Sequence, residues 1–113
     1  MTVDVDLIDD TPVARIVGEV DMSNVPFIED QITRHVSNRA FAVVVDLSGV
    51  TYLDSAGIRL LYQLEARVNN RQQRLIVIVP RLAEINRTLE ASGAIGTLAI
   101  VRSESEAFAA IGT

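Results

Sequence analysis

The segment Val43–Leu61 constrains the fold of this chain more than any other. It opens with three consecutive valines, a β-branched run that is typical of a strand buried on both faces. The polar, glycine-containing segment Asp46–Leu53 predicts a loop. From Ser55 onward, apolar residues recur at intervals of three and four, which predicts an amphipathic helix. The segment therefore predicts a strand, a loop and a helix, with Ser55 at the helix N-terminus, where free N–H groups and the helix dipole favour anions.

The rest of the chain alternates strand-like and helix-like segments after an opening hairpin. The turn residues Asp9–Pro12 separate two segments with alternating apolar residues, and Gly18 in the second predicts a bulge or a close backbone approach. A helix predicted from Pro80 to Gly93 places Leu82, Ile85 and Leu89 on its inner face. The predicted order is ββαβαβαβα, with strands at 3–8, 13–20, 42–47, 75–79 and 98–101 and helices starting near residues 24, 55, 80 and 103.

This alternation predicts one α/β domain that spans residues 1–113. Strands separated by helices favour parallel pairing, and the short first connection favours one antiparallel pair. We therefore expect a mixed, mostly parallel β-sheet with an N-terminal antiparallel hairpin and about four helices.

Charge and composition exclude several classes of partner. The net charge is −5, from 10 basic and 15 acidic residues, and the arginines are scattered, so we expect neither nucleic acid nor an anionic membrane as a partner. The chain has no cysteine, which excludes disulfides and thiolate metal sites. No signal peptide or membrane-length apolar run is visible, so we expect a cytoplasmic protein.

Ser55 is the main candidate for chemistry. A serine at a helix start is commonly an N-cap, but Asp54 is an equally good cap, so Ser55 is not needed for that role. The small residues that follow, including Gly57, predict a backbone that a partner can approach closely. A phosphate on Ser55 would be expected to find an anion site at the helix N-terminus.

Catalysis and metal binding have little support in the sequence. His35 is the only histidine, and its position near the end of the first predicted helix favours a solvated ring over a catalytic base. Nucleophile-elbow and phosphate-loop motifs are absent. The aspartates of the N-terminal hairpin lack calcium-loop spacing and are interpreted as edge charges. We therefore expect no enzyme activity, no metal and no cofactor.

The central segment resembles a known family. The sequence DLSGVTYLDSAGIRLL, Asp46–Leu61, resembles the signature of the STAS domain of bacterial anti-sigma factor antagonists. Gly18–Asp21, GEVD, resembles the first-hairpin motif of that family, and Leu89–Ile95 resembles the L…SG segment after its third helix. The resemblance covers nearly the whole chain and implies the same α/β architecture.

The resemblance also implies a function. The matching serine in anti-sigma factor antagonists is phosphorylated by the partner kinase, which assigns that role to Ser55. The implied partners are an anti-sigma factor with serine kinase activity, from which the unphosphorylated chain would release a sigma factor, and a serine phosphatase that resets the switch. The expected partner contacts are Asp21, Ser23, Asn24, Ser48, Thr51, Asp54, Ser55, Gly57, Ile58 and Arg59.

Two other functions remain open at the level of sequence. One is a structural STAS module of a stress-signalling or lipid-transport complex that binds a non-kinase partner through the same face. The other is a small ligand-binding domain, because open parallel sheets bind ligands at the carboxyl ends of their strands. Ser48 and Thr51 are rival phosphorylation sites, although both residue types are also common in turns.

Overall fold

The strands of the protein form one five-stranded sheet, which confirms the predicted architecture. The computed structural model describes residues 1–112. The strands lie in chain order across the sheet; the first pair is antiparallel and the others are parallel. The elements are β1 (Thr2–Ile8), β2 (Thr11–Val20), α1 (Val25–Arg34), β3 (Ala42–Leu53), α2 (Ser55–Asn69), β4 (Arg74–Ile78), α3 (Asn86–Ala91), α4 (Ala94–Thr97), β5 (Ile100–Val101) and α5 (Glu104–Gly112).

The opening hairpin forms as predicted, but its turn is shorter than expected, because β2 begins at Thr11 and Pro12 pairs with Leu7, which leaves only Asp9 and Asp10 in the turn. Asp9 and Asp10 both adopt left-handed backbone angles, with φ of 49° and 66°, as a tight turn between twisted strands requires. Gly18 has a φ of +109° and lies at a register shift between β2 and β3. A Cβ there would come within 3.1 Å of the Met1 backbone, so the predicted bulge and the predicted close approach are both present.

The third predicted helix is wrong in its first half. The residues that follow β4 form turns up to Ile85, the helix starts only at Asn86, and a break at Gly93 (φ +81°) separates α3 from α4. The Asn86 side chain explains the turn, because its Nδ2 donates hydrogen bonds to the carbonyls of Pro80, Arg81 and Ala83. Leu82 is therefore 97% exposed and does not face the core, and residues 1–112 contain five helices where about four were expected.

The two faces of the sheet are covered unequally. One face contributes the larger core, in which residues such as Val43, Val45 and Val77 pack with Ile28 of α1 and Leu64 of α2. The other face contributes a smaller cluster with Ala107 and Phe108 of α5, formed by Val13, Val44, Ile76 and Ile78. Burial on both faces explains the continuous valine run of β3.

An ion-pair network joins α5 to the N-terminal hairpin. The guanidinium of Arg15 lies 2.6 Å from the Asp6 carboxylate and 3.2 Å from the Glu104 carboxylate. At the start of the same helix, Ser103 Oγ accepts a hydrogen bond from the Glu106 backbone N–H at 3.1 Å, the contact typical of a Ser-x-x-Glu capping sequence. These contacts fix α5, the helix that covers the second face of the sheet within the described residues.

Candidate functional site

The N-terminus of α2 is held by Asp54 rather than by Ser55. Asp54 Oδ1 accepts hydrogen bonds from the backbone N–H groups of Ala56 at 2.9 Å and Gly57 at 3.1 Å. Its backbone N–H in turn donates to the Val20 carbonyl at 3.3 Å, which ties the helix start to the end of β2. Ser55 is exposed, and within residues 1–112 its hydroxyl has no hydrogen-bond partner. The Ser55 hydroxyl therefore lies in solvent and does not contribute to capping the helix.

The same geometry corrects the expectation of an anion site for a phosphate on Ser55. Asp54 already accepts the Ala56 and Gly57 N–H groups, and the Ile58 N–H donates to the Asp54 carbonyl. Little of the N-terminal donor capacity of α2 remains for a second anion. A phosphate on Ser55 would instead add roughly −1.5 to −2 charges next to a carboxylate.

Gly57 and Ile58 face inward, which contradicts their assignment as partner contacts. A Cβ on Gly57 would lie 2.3 Å from Leu53 Cδ1 and 3.1 Å from Val20 Cγ1. The glycine therefore permits close packing of α2 on the sheet, rather than access for a partner. Ile58 is 8% exposed and belongs to the core. Arg59, four residues after Ser55, is exposed on the outer side of the helix.

The loop between β2 and α1 lies next to the start of α2, because Val20 and Leu53 pair at the ends of their strands. Asp21 Oδ1 accepts hydrogen bonds from the Ser23 hydroxyl and from the Ser23 N–H at 2.9 Å. The Ser23 hydroxyl, followed by its N–H, lowers the pKa of Asp21 below its ordinary value. The Asn24 side chain accepts from the Asp21 N–H and donates to the Glu19 carbonyl. Asp21, Ser23 and Asn24 thus form an ordered loop beside Asp54 and Ser55.

Ser48 and Thr51 lie on a strand and not in the predicted loop. β3 continues to Leu53, and Ser48 is exposed with its hydroxyl hydrogen-bonded to Asp46 Oδ1 at 2.6 Å. At about 3.3 Å per residue, Ser48 is roughly 20 Å before the start of α2. Thr51 is exposed and nearer to that end. The structure therefore groups the other exposed candidates at one edge of the sheet and leaves Ser48 apart from them.

Exposed apolar side chains at this edge were missed by the sequence analysis. Met22 in the loop after β2 is 77% exposed, Phe27 at the start of α1 is 53% exposed, and Tyr52 near the end of β3 is 51% exposed. A groove of about 730 Å³ lies between the end of β3 and the segment after β4, with Thr51, Tyr52 and Leu82 in its lining. In the sequence, this surface was indicated by Met22, an apolar residue within a loop of polar residues. We call the edge formed by 21–27, 51–55 and 81–85 the carboxyl edge.

His35 lies at the opposite end of α1 from the carboxyl edge. It is the C-cap of that helix, and its Nδ1 lies 2.7 Å from the Gln31 carbonyl oxygen. A helix of 10 residues separates it by roughly 15 Å from the loop that adjoins Ser55. His35 is therefore not placed to act as a base for the Ser55 hydroxyl.

The described part of the chain contains neither a cluster of metal-binding side chains nor a membrane-spanning helix. Among residues 1–112, no three histidine, cysteine, aspartate or glutamate side chains are grouped so that they could hold a metal ion. In the same range, no helix is long and apolar enough to span a bilayer.

Comparison with known proteins defines the class to which this arrangement belongs. The family model of the STAS domain matches residues 2–107. The chain is therefore a member of the STAS domain family, and Asp54 and Ser55 at its carboxyl edge begin the DSAG segment.

The individual relatives are named as anti-sigma factor antagonists. BtrV of Bordetella bronchiseptica, a candidate anti-sigma factor antagonist, is 27% identical over 115 residues that cover 100% of this chain and 97% of that protein. The crystal structure of an anti-sigma factor antagonist from Mycobacterium paratuberculosis superimposes with a TM-score of 0.86 at 26% identity, covering 99% of this chain and 94% of that one. Unphosphorylated SpoIIAA gives a TM-score of 0.73 at 20% identity, with coverage of 99% and 100%, and its phosphorylated form from Bacillus gives 0.69 at 19% identity, with coverage of 97% and 99%. The SpoIIAA likeness shows the shared fold.

Proposed function

We propose that this protein is an anti-sigma factor antagonist that binds an anti-sigma factor through its carboxyl edge. The observation that carries the proposal is the exposed Ser55 hydroxyl, free beside an Asp54 cap, in a STAS domain whose relatives bear that name. The partner is an anti-sigma factor with serine kinase activity, and binding of the unphosphorylated chain releases a sigma factor. Phosphorylation of Ser55 abolishes that binding.

The electrostatics of the helix start support a switch that works by charge. Because Asp54 already accepts the Ala56 and Gly57 N–H groups, a phosphate on Ser55 adds negative charge where few helix donors remain to compensate for it. A partner that packs closely on Met22 and Tyr52 would have to bury that charge against an apolar contact, which is costly. Since Asp54, not Ser55, caps the helix, the modification leaves the contacts that hold α2 unchanged.

In this proposal the chain itself catalyses no reaction. It is the substrate of the kinase of its partner, and a serine phosphatase returns it to the binding form. Its place of action is the cytoplasm, where sigma factors bind RNA polymerase.

A reconstitution with the anti-sigma kinase of the same organism tests the proposal. Wild-type protein and Ser55→Ala are expected to form a stable complex with the kinase, measured by calorimetry, whereas Ser55→Asp is expected to bind at least about 100-fold more weakly, a loss of about 2.7 kcal/mol. With ATP, only chains that retain Ser55 should gain phosphate, mapped by mass spectrometry. Ser48→Ala and Thr51→Ala should be labelled as fully as wild type.

The matched control is Ser105→Asp, which adds the same charge to an exposed serine in the first turn of α5. It should bind the kinase as wild type does. Equal binding by Ser55→Asp and wild type, or labelling at a residue other than Ser55, would refute the switch.

A further inference from the structure

The opposite edge of the sheet carries a second exposed apolar pair that the proposed function does not use. Phe41, just before β3, is 84% exposed, and Leu7, near the end of β1, is 67% exposed. Both lie at the amino ends of the parallel strands, away from Ser55. A phenylalanine this exposed has lost nearly all of the stabilisation that burial of an aromatic ring gives, which is typical of an interaction surface.

A shallow concavity lies beside this pair. It has a volume of about 300 Å³, and Leu7, Thr11, Ala40 and Phe41 are part of its lining. Thr11 and Ala40 are buried, so they form its floor. One face of the molecule therefore presents both a protruding aromatic ring and a recess next to it.

Charges of both signs surround the same recess. Asp9 and Asp10 lie on one part of its lining and Arg39 on another, and all three side chains are exposed. Within residues 1–112, none of these three has an ion-pair partner. The recess is therefore bordered by unpaired acidic and basic side chains as well as by an exposed aromatic ring.

The loop that carries Phe41 is held in place. Gln73, which is 2% exposed, donates hydrogen bonds from its Nε2 to the carbonyls of Ser37 at 2.7 Å and Ala40 at 2.9 Å. The Arg74 N–H donates to the Phe41 carbonyl at 3.1 Å. Because the backbone is fixed before any partner arrives, association would cost little ordering of the loop.

We infer that this face is an isologous homodimer contact, in which a second copy of the chain places its Phe41 in the recess and receives Phe41 in return. A twofold contact requires one patch that complements itself, and this patch has a ring beside a recess and carboxylates beside a guanidinium. Asp9 and Asp10 of one copy then face Arg39 of the other. The same aspartates would repel a long anionic polymer or an anionic bilayer that extended over the patch. The small size of the patch makes the dimer a weak one.

Sedimentation equilibrium over a range of protein concentrations tests this inference. The average mass of the wild type is expected to rise from 12.3 kDa toward twice that value. Phe41→Ala should remain monomeric over the same range. Leu82→Ala, which removes an even more exposed apolar side chain at the carboxyl edge, is the matched control and should dimerise as wild type does.

A mixing experiment tests the charge contacts. Arg39→Glu makes the patch acidic throughout and should weaken self-association about tenfold or more. The double variant Asp9→Asn, Asp10→Asn keeps side chains that tolerate the left-handed turn and leaves Arg39 in place. An equimolar mixture of the two should associate more strongly than Arg39→Glu alone. A wild type that stays monomeric throughout, or a dimer that survives Phe41→Ala, would overturn the inference.

Discussion

Gly57 is the residue on which the position of α2 depends most directly. The helix crosses the ends of β2 and β3 there so closely that the space for a Cβ is already filled by the Leu53 side chain. Leu53 is 3% exposed and packed in the core, so it cannot move aside freely.

We predict that Gly57→Ala destabilises the protein even though alanine is the better helix former. The gain in helix propensity is about 1 kcal/mol, whereas overpacking of a core typically costs ~1–3 kcal/mol. The expected net loss is ~1 kcal/mol, or a fall in Tm of roughly 4 °C, measured by thermal unfolding. Gly96→Ala is the control, because a Cβ at that helical position would meet no atom within 4 Å other than its chain neighbours and the backbone of its own helix, and it should not lower the Tm. A Tm for Gly57→Ala at or above that of wild type would contradict the packing argument.

Residues whose role is local were predictable, and those whose role depends on distant packing were not. The choice of Asp54 as cap over Ser55 follows from the propensities of adjacent residues, and the hydrogen bonds to Ala56 and Gly57 match it. The inward position of Gly57 depends on Val20, which lies far back along the chain in β2. No spacing within the helix itself carries that information, so the glycine was misread as open backbone.

At the scale of elements, the second half of β3 was predicted to be a loop, but it is a strand. Ser48, Gly49 and Thr51 have turn-forming composition, and the strand there is irregular, with register shifts against β2. Because this part of β3 pairs with β2, its backbone groups form ladder hydrogen bonds and do not depend on those of a turn. Local composition therefore predicted a loop where a long-range partner made a strand. The predicted inward position of Leu82 was wrong for a related reason. The Asn86 side chain donates hydrogen bonds to three preceding carbonyls and so stabilises a turn where the sequence predicted a helix.

The loop from Asp21 to Asn24 should depend on pH in a predictable direction. Hydrogen bonds from Ser23 lower the pKa of Asp21 below its ordinary value of 3.8, so the folded loop favours the ionised carboxylate. This contribution to loop order is complete above pH 3.8 and is lost as the pH falls through the lower, folded pKa. Amide exchange and chemical shifts of Ser23 and Asn24 should therefore change in that acidic range. Asp21→Asn keeps an acceptor oxygen and should abolish the change, and a Ser23 amide that is insensitive to acid would contradict this account.

The whole molecule is a sheet with different surfaces at its two ends. The parallel strands direct every βα connection to the carboxyl edge, which brings Asp21 and Ser55 together from separate parts of the chain. The alternation of strands and helices predicted this much, because topology alone decides where strand ends meet. The exposed Phe41 at the amino end was not predictable, since the sequence does not state which apolar residues remain uncovered.

The two ends of the sheet should act independently. They are separated along the strands of a molecule whose longest dimension is 32 Å, and one buried hydrophobic core lies between them. Ser55→Asp is therefore expected to leave the sedimentation equilibrium of the chain unchanged while it abolishes binding of the anti-sigma kinase. Phe41→Ala is expected to bind that kinase with wild-type affinity. A shift of more than about fivefold in either direction, which is ~1 kcal/mol, would reveal coupling between the edges and would require a conformational change within the sheet.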